Sequence, residues 1–154
     1  MSSPDVASRP SPIAGLGLFA QRNFAPGEKI APYSGKVTVD RPPAKPPGEK
    51  IFALEIAPGR WLDGSAADNP ARHANHACHP NAELVWHEKE SAAWLTARQP
   101  IAPGEEITFD YGFSLAESLF QPCACGAADC VGRIIATPLR PALRRHLRFS
   151  RPRD

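Results

Sequence analysis

The 154-residue sequence has no apolar run approaching the length that spans a membrane, so nothing in it predicts a transmembrane helix. Its first residues, MSSPDVASRPSPIAG, lack a basic start followed by an apolar stretch. They do not read as a secretory signal, and a cytoplasmic or nuclear setting with reduced thiols is expected. Cysteine is scarce, with four residues, which excludes a disulfide-dense scaffold. Aromatic residues make up 8%, and none interleave with the basic residues as a base-stacking surface requires. Long helices are excluded by what replaces them, 18 prolines and 11 glycines.

The remaining pattern is of short extended segments joined by turns. Ile13–Ala20 reads as strand, tight turn, strand. FAPGEKI (24–30) and IAPGEEI (101–107) are each a Pro-Gly turn feeding a strand, without being an internal repeat. Four prolines make DRPPAKPPGEK (40–50) a loop. Residues 51–56 and 60–63 form two strands around Pro58-Gly59, 66–74 holds a helical turn or two, and 82–87 with 92–97 form a hairpin around EKES. A short helix fits 138–147. The class is mostly β with few short helices, and 42% hydrophobic residues supply one small core. The charge is uneven: the chain carries +2, residues 140–154 carry +5, and 1–139 therefore sum to −3. The basic tail, 137–154, suits nucleic acid or an acidic surface, or is simply a solvated end.

Three of the four cysteines, Cys123, Cys125 and Cys130, lie in CACGAADC, a C-x-C-x4-C spacing on a Gly-rich loop. Zinc takes four ligands in a tetrahedron, and close spacing lets one loop supply several. The cluster is one ligand short. Cys78 is the remaining cysteine, and His76 or His79 beside it in NHACHPN are alternatives. Four protein ligands would make the metal structural, with no open position to activate water.

Together these segments resemble the SET-domain lysine methyltransferases that carry a post-SET zinc loop. GLGLFA (15–20) looks like the family's N-terminal cofactor motif, and YSG (33–35) like its Tyr-x-Gly. RHANHACHPN (72–81) is similar to R-F-I-N-H-S-C-x-P-N, GEEITFDYGF (104–113) to G-E-E-[IL]-x-x-D-Y, and CACGAADCVGRI (123–134) to the post-SET pattern. Five motifs in order are far more specific than any one. The resemblance implies a β-clip fold of small curved sheets with a C-terminal pseudoknot. It divides the chain into a flexible N-terminus (1–10), a SET domain (11–115), a post-SET zinc loop (116–136) and the tail.

The implied reaction is methyl transfer from S-adenosylmethionine to a lysine side-chain amine of a protein or peptide, with a histone tail as one candidate. Tyr111 matches the catalytic tyrosine. Tyr33, Phe109 and Phe113 would line the lysine channel. Gly15, Leu16, Gly17, Arg72, Asn75, His76, Tyr111 and Phe120 would bind the cofactor, with Phe120 closing over the adenine. Cys78, Cys123, Cys125 and Cys130 would hold one structural zinc. Phenylalanine at 109, where the family has Phe or Tyr, implies room for di- or trimethylation.

The sequence departs from the pattern at His73, Ala74 and Ala77, making the cofactor's surroundings looser or more polar. No cysteine-rich segment precedes the domain, so a minimal, stand-alone version is expected. It would be cytoplasmic if bacterial, and nuclear or directed at host chromatin if histones are its targets. Two other classes compete: a catalytically silent module of the same fold that holds a peptide or nucleic acid, and a small zinc-stabilised nucleic-acid binder.

Overall fold

The computed structural model describes residues 4–43, 46 and 49–150. Lys45 of the Pro-rich loop and Arg151, Arg153 and Asp154 of the tail lie outside them. Three small sheets share one core. The first has strand order β1-β2-β10-β7, built from β1 (Val6–Pro10), β2 (Leu16–Ala20), β7 (Asn75–His76) and β10 (Glu106–Phe109). The second is β3-β9-β8, from β3 (Lys29–Tyr33), β8 (Ala82–His87) and β9 (Ala92–Ala97). The third is β4-β6-β5, from β4 (Lys36–Thr38), β5 (Ala53–Ala57) and β6 (Arg60–Asp63). Helices are short: α1 (Leu115–Ser118), closed by a Ser114–Glu117 capping box, and α2 (Arg140–Phe149). Single 3-10 turns cover Pro70–His73 and Thr137–Leu139.

Residue alternation explains the sheets. In β9, Ala93, Leu95 and Ala97 are buried while Ala92, Trp94 and Thr96 are not, the period of two of a half-covered strand. In β10, Ile107, Thr108 and Phe109 are all buried, because that strand is central. The largest core side chains are Leu18, Phe24, Leu95, Ile101, Ile107 and Phe109. Each contributes about 1.5–3 kcal/mol by leaving water.

Two expectations are corrected. Residues 6–10 are not a flexible extension. Val6 is buried at 3% exposure, and β1 pairs with β2 over five positions, Val6 opposite Ala20 through Pro10 opposite Leu16. The hairpin's first strand therefore lies earlier than Ile13. Nor is the tail a solvated end throughout: Arg140 and Leu143 of α2 are buried. The two Pro-Gly turns, unrelated by sequence surroundings, meet in space. Phe24 and Ile101 exchange both backbone hydrogen bonds, at 2.9 and 3.0 Å. Gly27 and Gly104 both have positive φ (83° and 88°), and their N–H groups donate to Ala97 and Ala20.

Candidate active site

Strand β10 joins the pieces. It pairs antiparallel with β2, Ile107 opposite Leu18, and parallel with β7, Phe109 opposite His76. This brings the GLG turn, the Asn75-His76 pair and the Asp110-Tyr111-Gly112 turn together. Asn81 secures the arrangement from the side: its Nδ2 donates to Glu106 O at 2.8 Å and its Oδ1 accepts from Thr108 N at 2.9 Å. Asp110 holds the other end, accepting from Gly112 N and from the Thr137 N–H and hydroxyl.

A cavity of about 330 Å³ opens at this junction, with Gly15, Lys50, Asn75, His76, Tyr111 and Cys123 in its wall. Asn75 is buried, and its amide donates 2.9 Å to Glu106 Oε1 and 3.1 Å to Ala14 O. The Ser11 hydroxyl also donates to Glu106, at 2.7 Å. Gly17 makes room for this carboxylate: a Cβ there would lie 2.3 Å from Glu106 Oε1. The Lys50 ammonium donates to Leu16 O, His73 O and Asn75 Oδ1, at 3.1, 2.9 and 3.0 Å.

His76 is buried and pushed down to about 4 by loss of solvent, so its ring is neutral. Nδ1 accepts the Tyr111 N–H at 3.1 Å, which leaves the proton on Nε2. That buried Nε2–H has no acceptor among the described residues. A cavity wall with a glycine turn, a fixed amide and a spare imidazole donor fits a polar ligand such as a nucleoside.

Tyr111 stands at the centre of an aromatic cluster. Its ring centroid lies 5.5 Å from His76, 4.9 Å from Phe109 and 5.5 Å from Phe113, and Phe109 meets Tyr33 edge-on at 6.2 Å. The Tyr111 hydroxyl donates to Ala74 O at 2.7 Å. Burial, then the nearby Tyr33 and Glu106, hold the phenol well above its ordinary range, so it stays protonated. Tyr33 is likewise raised by burial, and its hydroxyl donates to Phe52 O at 3.0 Å. Gly64 makes space for that ring, since a Cβ would lie 2.2 Å from Tyr33 Cε1.

Beyond Phe113 lies a larger groove of about 870 Å³, walled by Arg41, Phe52, Trp61, Asp63, Phe113 and Phe120 among others. Glu49 and Gln121 line both spaces.

The four cysteine sulfurs lie within 4.8 Å of one another, and none is in a disulfide. Cys78 Sγ is 4.0 Å from Cys123 Sγ and 3.8 Å from Cys130 Sγ. A tetrahedral Zn²⁺ with bonds near 2.3 Å holds its sulfurs about 3.8 Å apart, so the cluster fits the metal. Burial pushes the Cys78 thiol up to about 11, a cost that a bound cation would reverse. Neither His76 nor His79 belongs to the set; the His79 ring instead meets Asp129 at 2.5 Å across the two zinc segments. The Arg140 guanidinium donates to Cys78 O. Four thiolates around Zn²⁺ carry a net charge of −2, and buried Arg140 offsets part of it.

The SET domain family matches residues 15–112. The chain belongs to the SET-domain family. Its relatives include the histone-lysine N-methyltransferase SETD1 of Drosophila melanogaster, 34% identical over 133 residues, which are 80% of this chain and 8% of that protein. Histone-lysine N-methyltransferase 2D of Homo sapiens is 33% identical over 78% of this chain and 2% of its own length. ASHH3 of Arabidopsis thaliana is 31% identical over 84% and 38%. The chain thus spans a minor part of the curated relatives it matches. A crystal structure of KRYPTONITE with DNA, an H3(1-15) peptide and S-adenosylhomocysteine (SAH) superposes with a TM-score of 0.65 at 25% identity. It covers 84% of this chain and 29% of that one.

Within this SET domain, Gly15, Asn75, His76 and Tyr111 share the cavity wall, and the cysteines gather as expected. Phe120 does not line that cavity; it is 62% exposed on the larger groove, because it follows α1, which faces the groove through Glu117. Arg72 is also outside the cavity wall, its guanidinium donating to Ser65 O and His73 Nε2. Ser11, Lys50 and Glu106 are site residues that motif reading missed. Glu106 lies inside a quoted motif, but its contact with the Gly17 position is made by the fold alone.

Proposed function

We propose that this SET domain transfers a methyl group from S-adenosylmethionine to a lysine amine of a protein, with histone tails the first substrates to try. One observation carries the reading: the aromatic cluster bridges the two spaces, Tyr111 in the wall of the small cavity and Phe113 in that of the groove. A lysine laid in the groove could send its four-carbon stem past Phe113, Phe109 and Tyr33 to reach Tyr111. Gly15, Asn75 and His76 would hold the cofactor, and the cofactor supplies an electrophilic methyl on a sulfonium.

The amine must arrive neutral. A free lysine titrates near 10.4. Desolvation between aromatic rings and a nearby positive charge both lower that value. Tyr111 is not the base, since its phenol stays protonated; its hydroxyl oxygen instead orients the amine, while its proton is fixed on Ala74 O. Phe109, with no hydroxyl to hold a water, leaves space for an amine that already carries methyl groups. The zinc cluster acts indirectly, ordering the Pro122-Cys123-Ala124 wall. A histone substrate would place the activity at chromatin.

The test is transfer of labelled methyl from S-adenosylmethionine to histones and to total cell protein. Tyr111→Phe should cut turnover by roughly 10²–10³-fold while SAH still binds. SAH binding without transfer to any protein would instead favour a silent binding module.

A further inference from the structure

Lys50 is a charged residue of the cavity wall that neither motif nor mechanism uses. It enters from the end of the Pro-rich loop, and its ammonium meets three acceptors from three chain segments: Leu16 O, His73 O and Asn75 Oδ1, at 3.1, 2.9 and 3.0 Å. An ammonium has three donors and no acceptor, so the seat is filled with none to spare. All three partners present oxygen, with the Glu106 carboxylate behind Asn75. This seat selects a cationic amine. Burial lowers Lys50 to about 8, opposed by Glu106 and aided by Arg72, so most of it is charged at neutral pH.

S-adenosylmethionine carries one primary ammonium, at its amino-acid end. Resting on the proposed function, we propose that Lys50 occupies the seat of the cofactor's α-ammonium, so that cofactor binds only by displacing it. Two ammonium groups cannot share three acceptors at hydrogen-bond distance, because like charges repel strongly in a half-buried site. The cofactor's apparent affinity is then its intrinsic affinity reduced by the fraction of molecules in which Lys50 has left the seat. Lys50 thus sets the cofactor's threshold concentration by competing with ligands that carry the amine, and leaves ligands lacking it unaffected.

Calorimetry with SAH and with its desamino analogue tests this. Lys50→Met should bind SAH on the order of tenfold more tightly than wild type, while affinity for the desamino analogue stays unchanged. Equal or weaker SAH binding by the variant overturns the proposal, as does an equal gain for both ligands. A second measurement uses the unaltered protein: mild amine acylation with peptide mass mapping. SAH should raise labelling of Lys50, released from its seat; unchanged or reduced labelling overturns the proposal even where the variant does not fold. Failure of SAH to bind either protein would sink the methyltransferase reading along with it. Binding that is indifferent to Lys50 sinks the present inference alone.

Discussion

Single side chains in this domain act mostly by keeping other groups in place. Gly17 is the clearest case. The family resemblance placed it among the cofactor-binding residues, but the atom that needs the space is Glu106 Oε1. Gly17→Ala should push that carboxylate off Asn75 and weaken SAH binding roughly ten- to a hundredfold, measured by calorimetry. A normal dissociation constant in Gly17→Ala would remove Glu106 from the account. Phe109 sets a different property. Phe109→Tyr adds one hydroxyl beside Tyr111, and mass spectrometry of product peptides should show the distribution moving to monomethyl-lysine. The residues legible in the sequence were those whose chemistry is rare: a tyrosine in a D-Y-G turn, an Asn-His pair, crowded cysteines. Lys50 was illegible because a lysine at a loop end usually lies in water. Only the fold brings three carbonyl oxygens to it.

At the level of elements, the strands were readable where alternation was clean, as in the hairpin 82–97, and misread where it was short. VASRP carries one buried apolar side chain, Val6, and nothing in five residues announces a strand. Pairing with β2 supplies what the residues do not. Deleting residues 1–8 should cost about 2–3 kcal/mol from the lost Val6 burial and ladder bonds. Thermal unfolding should then come about 4–12 °C earlier. A truncated chain that melts with the full-length one would show β1 to be dispensable. The Pro-Gly turns were read correctly one by one, but their mutual bridge was not, since 77 residues separate Phe24 from Ile101 and local pattern says nothing about such pairs.

For the molecule as a whole, the cysteine cluster and the small cavity share a wall: Cys123 belongs to both. Chelation should therefore abolish methyl transfer and SAH binding together. The far-UV circular dichroism of the β core should be little changed, because the first and second sheets contain no zinc ligand. Full activity after verified zinc loss would refute the coupling. The mostly β class was legible from composition and three of the four sulfurs from spacing, while the resemblance pointed to Cys78 over His76 or His79 as the fourth. The family resemblance implied small curved sheets; the division into three, and the parallel meeting of β7 with β10, were announced by nothing in the local pattern.

Strand β10 has a consequence for how such a domain can change. Its two neighbours set its register from both sides; Glu106 opens it, and Tyr111 follows two residues after its last, Phe109. Adding or removing one residue between them would turn every side chain to the opposite face and separate the carboxylate from Asn75 or the tyrosine from His76. That stretch can vary by replacement only, never by length. The Pro-rich loop ending at Lys50 is under no such frame, so changes in substrate choice are free to come there by insertion, provided its last residue still reaches the cavity.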